Sequence, residues 1–264
     1  MNPSIMFDPD QYANVFKPVE QAETLPPWCY RSEEFYQAEV TNLFMKTWNF
    51  FGHVDQVKNS GDYITTDYVG VPILIVRGRE GAIRAFANNC RHRGAPVAKG
   101  SGNCLLFTCP YHSWSYDNAG ALVGIYKRED FGDVDTSCLG LTPLPVAERA
   151  GLIFGVLTPG VEVDFDAFLC GYDELLVHHD FEHCNLVGRQ SVAGPNWKVA
   201  YDGYLDFYHL PILHKDSFGA KMPSDALYDA WGPHQRVSMP DPRYLELEKK
   251  PEEEWNTAHL IGGV

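Results

Sequence analysis

Two cysteine–histidine pairs that lie close together constrain this chain more than any other feature. Cys90 and His92 form the first pair, with one residue between them, and Cys109 and His112 form the second, with two residues between them. Thiolate sulfur and imidazole nitrogen both bind metals, and such short spacings let one loop supply two ligands. The sequence therefore predicts a fold that brings two loops together around a metal centre.

The mixed composition of the pairs favours an iron–sulfur cluster over a zinc ion. A Rieske [2Fe–2S] cluster takes two thiolates on one iron and two imidazoles on the other, which is one cysteine and one histidine from each loop. Structural zinc also accepts two sulfur and two nitrogen ligands, but its sites more often pair Cys with Cys and His with His. We expect Cys90, His92, Cys109 and His112 to hold the cluster, and Cys104 to be a small buried hydrophobic residue.

Composition narrows the class of protein. The chain has 264 residues, a formal net charge of -14 and a pI near 5.0, which argues against nucleic acid or an anionic membrane surface as a partner. Its seven cysteines show no disulfide-framework spacing. With no secretory leader and no apolar run that could cross a bilayer, the sequence predicts a cytoplasmic protein.

The pattern along the chain predicts an α+β protein with an all-β part ahead of a mixed part. Residues 1–31 read as an extended arm, and Ser32 can cap a helix. Strand and turn signals follow over residues 63–77, 77–81, 83–86, 117–120 and 152–157, with the first three forming a hairpin. Asp164 can cap one helix that continues to Leu176. We therefore place an arm and helix at 1–45, a β domain at 46–160 and a mixed domain at 161–264.

A second group of polar residues lies in an apolar segment of the mixed domain. The segment that opens at residues 194–198 predicts a helix to His214, and it carries Asp206 and His209. Histidines five positions apart diverge on a regular helix, so Pro211 must distort it if both are to bind one ion. Two histidines match part of the 2-His-1-carboxylate triad of non-haem iron; histidines that meet free carbonyls at a helix end are the alternative. We interpret the histidines at 178–183 as solvent-exposed residues of a polar connecting segment and not as metal ligands.

Taken together, the motifs CRHRGAPVAKG, FTCPYHSWSYD, GPNWK and DFYHLPILH resemble the large, or alpha, subunits of Rieske non-haem iron ring-hydroxylating oxygenases. The resemblance implies that the all-β part is a Rieske domain and that the mixed part is a catalytic domain built on an antiparallel sheet with helices. It also implies that His209 and His214 hold a mononuclear Fe(II), and that Asp206 hydrogen-bonds an iron-ligating histidine and reaches the cluster histidine His112 of a neighbouring subunit.

This resemblance implies a terminal oxygenase of a multicomponent system. Electrons from NAD(P)H would arrive through a reductase, with or without a ferredoxin, and dioxygen would be used to hydroxylate an aromatic or other apolar organic substrate. The family's assembly is commonly a homotrimer, in some members with a small beta subunit. The alternative is that this chain acts as a Rieske electron-transfer protein without a complete mononuclear site.

The sequence departs from the family pattern at two places. Many relatives carry Glu-Asn where this chain has Tyr201-Asp202. The third iron ligand of the family is a carboxylate far downstream of the second histidine, whereas this chain reaches only Val264. We therefore expect a truncated catalytic domain that ends in an unpaired strand. Five acids downstream of His214 could supply a carboxylate, but none occupies the family's position: Asp216, Asp225, Asp229, Asp241 and Glu246.

Overall fold

The computed structural model describes residues 3–219, 226–240, 249–254 and 261–263. The backbone divides into two compact units, one made of residues 1–35 and 190–264 and the other of residues 36–189. The α-helices are α1 (Pro3–Met6), α2 (Glu33–Glu39), α3 (Phe165–Leu169), α4 (Tyr172–His178), α5 (Trp197–Leu205) and α6 (Leu210–Leu213). Within the described residues, no helix is both long and apolar enough to cross a membrane.

The strands occur in both units. They are β1 (Trp48–His53), β2 (Asp62–Tyr68), β3 (Val71–Arg77), β4 (Ile83–Ala87), β5 (Ser101–Asn103), β6 (Leu106–Thr108), β7 (Ser115–Asp117), β8 (Leu122–Gly124), β9 (Pro143–Leu144), β10 (Val146–Arg149), β11 (Leu152–Val156), β12 (Leu227–Trp231), β13 (His234–Pro240) and β14 (Ile261–Gly263). This combination of antiparallel sheets and helices confirms the predicted α+β class.

The unit of residues 36–189 is built from antiparallel sheets. Its described strands form sheets in the orders β5-β2-β3-β4-β9, β1-β11-β10 and β6-β7-β8. Strand β3 is buried on both faces. Because alternate side chains point to opposite faces, Leu74 and Val76 join the core around Cys90 and Cys109, while Ile73 and Ile75 join a second core. Partly buried Cys104 packs against the first core, as predicted.

The predicted hairpin is part of a larger meander. The turn over residues 77–81 joins β3 to β4, as expected. The run over residues 63–77 is not one strand, because Val69 and Gly70 adopt φ of 48° and 84° and turn the chain between β2 and β3. Consecutive left-handed residues form the tight turn that matches the twist of paired strands. The sequence reading missed this turn because a valine occupies its first position.

The helix predicted after Asp164 is interrupted. The Asp164 carboxylate accepts a hydrogen bond from the Ala167 N–H at 2.9 Å, which confirms the cap. Cys170 and Gly171 then adopt left-handed backbone conformations and separate α3 from α4. A left-handed residue ends a helix, so the apolar spacing that predicted one helix is shared by two short ones.

The N-terminal arm is not simply extended. Residues 9–12 and 27–30 form short 3₁₀ turns, and Met6 and Cys29 are buried. The Trp28 ring packs edge-on against Tyr12 and Phe35, with centroids 5.9 and 5.4 Å apart. The helix predicted at Ser32 is confirmed: its hydroxyl accepts a hydrogen bond from the Phe35 N–H at 3.2 Å.

The remaining sheet of the other unit has the strand order β12-β13-β14. Strand β14 pairs antiparallel with residues 238–240, so the expectation of an unpaired final strand is wrong for residues 261–263. The domain bounds at 45/46 and 160/161 stay a prediction.

Candidate metal centres

The first cysteine–histidine loop is closed by backbone hydrogen bonds. The Cys90 N–H donates to the Ala95 carbonyl, and the Gly94 N–H donates to the Cys90 carbonyl, both at 2.8 Å. Gly94 has a φ of 75°, in the left-handed region that glycine adopts without a steric penalty. The turn therefore fixes the backbone on both sides of His92.

The second loop repeats this pattern. The Cys109 N–H donates to the Trp114 carbonyl at 2.8 Å, and the Ser113 N–H donates to the Cys109 carbonyl at 3.0 Å. Ser113 has a φ of 59°, so here too the residue four positions after the cysteine is left-handed. The two loops thus share one backbone geometry although their histidines stand two and three residues after the cysteine.

The four predicted ligands combine burial with close approach. Cys90 and Cys109 are 3% and 2% exposed, and the rings of His92 and His112 have centroids 4.6 Å apart. Burial, and then the nearby His112, lowers the pKa of His92, which keeps its ring neutral as a metal ligand requires. His92 Nδ1 is buried and has no hydrogen-bond partner among the described residues. Such a nitrogen is costly unless it binds something, and the donor set fits a Rieske cluster.

The two metal hypotheses differ in how many side chains must surround one ion. Within the described part of the chain, no three His, Cys, Asp or Glu side chains are grouped as one metal ion would require. A tetrahedral zinc ion needs four ligands around one point, whereas each iron of a [2Fe–2S] cluster takes only two protein ligands. Two cysteines and two histidines match the number of protein ligands that a Rieske cluster takes.

Tyr116 belongs to this centre and was missed from the sequence. Its ring is fully buried, and its hydroxyl oxygen lies 3.2 Å from Cys90 Sγ and 3.0 Å from the Arg91 backbone N. Burial, and then the bond to Cys90, raises the pKa of the phenol, so it keeps its proton. The Trp114 ring stacks on the His92 ring, with centroids 4.9 Å apart, and so covers one face of it. The available signal was strand alternation, which points Tyr116 inward from β7.

The second candidate centre follows a helix that starts as predicted and ends early. The Asn196 side chain caps α5 by accepting from the Lys198 N–H at 3.0 Å. The helix stops at Leu205, and the Asp206 carboxylate accepts from the Tyr208 N–H at 2.8 Å. This local bond competes with helical hydrogen bonding. The break thus precedes Pro211, which sits in the first turn of α6, where a missing N–H costs nothing.

The break brings the predicted side chains together. The rings of His209 and His214 have centroids 5.3 Å apart, and Asp206 Oδ2 lies 3.4 Å from His209 Nδ1. The two histidines fit two ligands of a mononuclear iron site, and Asp206 contacts one of them. No third ligand joins them in the described residues.

The downstream acids do not supply that ligand in the described part of the chain. The Asp229 carboxylate accepts two hydrogen bonds from the Arg236 guanidinium, and Asp216 is exposed. Asp225, Asp241 and Glu246 lie outside the described residues. The histidine-rich connection shows an exposed pair, His183 Nδ1 with Asp180 Oδ1 at 2.5 Å, as a solvated segment should.

Two family models match successive parts of the chain. The model of the Rieske [2Fe-2S] domain matches residues 47–135, and the model of the ring hydroxylating alpha subunit catalytic domain matches residues 173–262. The first range contains all four cysteines and histidines predicted as ligands of the first centre, and the second contains Asp206, His209 and His214.

Among curated proteins, benzene 1,2-dioxygenase subunit alpha from Pseudomonas putida strain F1 is 34% identical over 218 residues, which are 78% of this chain and 48% of that protein. Carnitine monooxygenase oxygenase subunit from Escherichia coli K12 is 31% identical over 198 residues, 74% of this chain and 53% of that protein. This chain thus spans about half the length of these relatives.

Among solved structures, naphthalene 1,2-dioxygenase from Rhodococcus sp. bound to indole superposes with a TM-score of 0.74 at 27% identity. The match covers 91% of this chain and 63% of that one. The likeness therefore extends from the sequence motifs to the arrangement of the strands and helices.

Proposed function

The chain belongs to the family of Rieske ring-hydroxylating oxygenase alpha subunits, and from that membership we propose that it is the terminal oxygenase component of a multicomponent system. The observation that carries the proposal is the presence of both metal-binding segments, each inside its own family match and in the family's order. The reaction we propose is hydroxylation of an aromatic or other apolar organic substrate with dioxygen. We also place the protein in the cytoplasm.

Cys90, His92, Cys109 and His112 would hold the [2Fe–2S] cluster, and His209 and His214 would hold the mononuclear iron. When bound, these groups supply one-electron storage and dioxygen activation. Two residues of the chain surround the proposed cluster ligands. Tyr116 hydrogen-bonds a cysteine ligand, and Trp114 covers one face of His92.

Asp206 is proposed to couple the two centres. Its carboxylate lies 3.4 Å from His209 Nδ1, where it can orient the ring and stabilise a proton on that nitrogen. Its side chain is 52% exposed, and a carboxylate oxygen can accept more than one hydrogen bond, so Asp206 can also meet His112 of a neighbouring subunit. This role is the reason to propose a homotrimer. Electrons would come from NAD(P)H through a reductase or ferredoxin, and a small beta subunit is compatible with the proposal.

Iron and acid-labile sulfide analysis tests the proposal directly. A [2Fe–2S] cluster with a mononuclear site gives about three irons and two sulfides per chain, a cluster alone gives about two irons, and a zinc protein gives none. Replacing Asp206 by Asn should leave the iron content unchanged and slow single-turnover oxidation of the reduced cluster. An unchanged rate in a protein that holds both centres would contradict the bridging role.

A further inference from the structure

Lys198 is a buried cation in the first turn of α5. Its side chain is 6% exposed, and its ammonium nitrogen lies 5.0 Å from the ring centroid of Trp197, 5.3 Å from Phe35 and 5.9 Å from Tyr30. An ammonium taken out of water requires compensation, and aromatic faces within about 6 Å provide it electrostatically. Tyr30 comes from the N-terminal arm and Phe35 comes from α2, so both of these segments contact α5 through the Lys198 side chain.

The same arm makes a second contact one turn along α5. The Tyr30 hydroxyl donates a hydrogen bond to Asp202 Oδ2 at 3.2 Å. Burial, and then the Asp202 carboxylate, raises the pKa of Tyr30, so the phenol keeps the proton that it donates. Residues four apart share one face of a helix, which places Asp202 on the face of Lys198. Tyr30 therefore contacts both ends of this face.

The arm that makes these contacts is itself packed. The Phe35 ring lies 5.4 Å from Trp28 and 6.5 Å from Phe7, centroid to centroid. Trp28 in turn packs against Tyr12. Tyr12, Trp28 and Phe35 are partly buried, whereas Phe7 is 55% exposed. Phe35, one of the rings around Lys198, is thus held by ring contacts of its own.

The position of α5 determines the direction of the residues that follow it. The helix ends at Leu205, immediately before Asp206, and the Tyr228 hydroxyl donates to the Leu205 carbonyl at 3.0 Å. A helix turns by about 100° per residue, so a slip of one residue would point Asp206 elsewhere. Contacts that hold α5 at its first and last turns therefore set the direction in which Asp206 points toward His209.

We propose that Lys198, held by the Tyr30 and Phe35 rings, is a positioning residue that acts together with the Tyr30–Asp202 hydrogen bond to set the orientation of the Asp206–His209 pair. The inference rests on the proposed function of that pair. It also gives Asp202 a role: its carboxylate accepts a hydrogen bond from Tyr30 on the helix face that carries Lys198.

Hydrogen–deuterium exchange of the 264-residue chain, purified with its cluster, tests this role. Lys198→Met keeps a long apolar side chain and removes the charge, and we expect exchange over residues 197–205 and 206–214 to rise about tenfold. Lys198→Arg retains a cation that aromatic rings accept, so exchange should stay within about twofold of the wild type. Tyr30→Phe removes only the hydroxyl and should raise exchange about threefold.

Cluster absorption and exchange over β2–β4 serve as controls and should not change. Equal exchange over residues 206–214 in the wild type and Lys198→Met would overturn the proposal, as would an equal rise in Lys198→Met and Lys198→Arg. If Lys198→Met does not fold, exchange over residues 206–214 in Tyr30→Phe decides instead. A rise supports the proposal, and exchange equal to the wild type overturns it.

Titration of the wild type with Co²⁺ alone separates this inference from the iron site. Failure to bind Co²⁺ through His209 and His214, with His209→Ala as the reference, would contradict the proposed function and leave the exchange result standing. Binding of Co²⁺ together with unchanged exchange in Lys198→Met would contradict only the positioning role.

Discussion

Replacing Tyr116 by Phe should lower the reduction potential of the cluster. The Tyr116 oxygen lies 3.0 Å from the Arg91 N and 3.2 Å from Cys90 Sγ. Because the Arg91 N–H donates to the phenol oxygen, the phenol's own hydrogen is left to point at the sulfur. A hydrogen bond to a thiolate ligand stabilises the more negative, reduced cluster over the oxidised one. The phenylalanine variant lacks this hydrogen bond, so its reduced cluster is less stable and its reduction potential is lower.

The size of the shift follows from the burial of the bond. Tyr116 is fully buried, so water cannot replace the lost hydroxyl. A hydrogen bond to a charged group contributes about 1.5–3 kcal/mol, and both oxidation states keep part of it. If the hydrogen bond stabilises the reduced state by about 1 kcal/mol more than the oxidised state, its loss lowers the potential by about 40 mV. A tenfold change in the equilibrium constant of a one-electron couple is about 59 mV, or about 1.4 kcal/mol.

A redox titration followed by the spectrum of the reduced cluster measures this shift. Tyr63→Phe is the matched control, because Tyr63 packs against the same core and makes no hydrogen bond to a cysteine sulfur in the described structure. Iron and sulfide content must equal the wild type in both variants. A Tyr116→Phe potential that rises, or that stays within about 10 mV of the wild type, would refute the reasoning.

Three further predictions follow from individual contacts. Cys109→Ala should abolish the visible and paramagnetic signals of the cluster, and an unchanged spectrum would disprove the ligand assignment. Hydrogen bonding and charge from Asp180 raise the pKa of His183, so the stabilisation by this pair is present below the ordinary imidazole pKa and is lost as pH rises through the raised value; an NMR titration of Asp180→Asn should show a lower pKa for His183. Ser113→Gly should raise the free energy of unfolding by about 0.5–1 kcal/mol, because glycine relieves the left-handed strain at a φ of 59°; a lower melting temperature would contradict this.

Contacts between residues that are close together in the sequence were predictable. The ligand pairs could be recognised because each sits on one loop, and the Asp164 and Ser32 caps could be recognised because capping joins residues three positions apart. Tyr116 could not be assigned, because its partner Cys90 is 26 residues away and pairing at that distance is set by the packing of β3 against the loops.

Competition between neighbouring groups explains the remaining differences. Pro211 was expected to break the helix, but the Asp206 side chain breaks it earlier by bonding the Tyr208 N–H, and the proline then starts the next helix. The N-terminal arm shows no apolar period, yet Met6 and Cys29 are buried. Periodicity is detected over several turns of a helix or several residues of a strand, whereas Met6 and Cys29 lie in segments of only four residues.

The two candidate centres also differ in what holds them, and this difference separates their responses to mutation. Backbone hydrogen bonds close both cluster loops, and the two cysteines lie in a hydrophobic core, so changes elsewhere in the chain should leave cluster loading intact. Asp206 and His209 follow a short helix and are 52% and 28% exposed, so their geometry depends on how firmly α5 is held. Variants of the N-terminal arm should therefore alter the transfer of electrons to the second centre while the spectrum of the first stays constant.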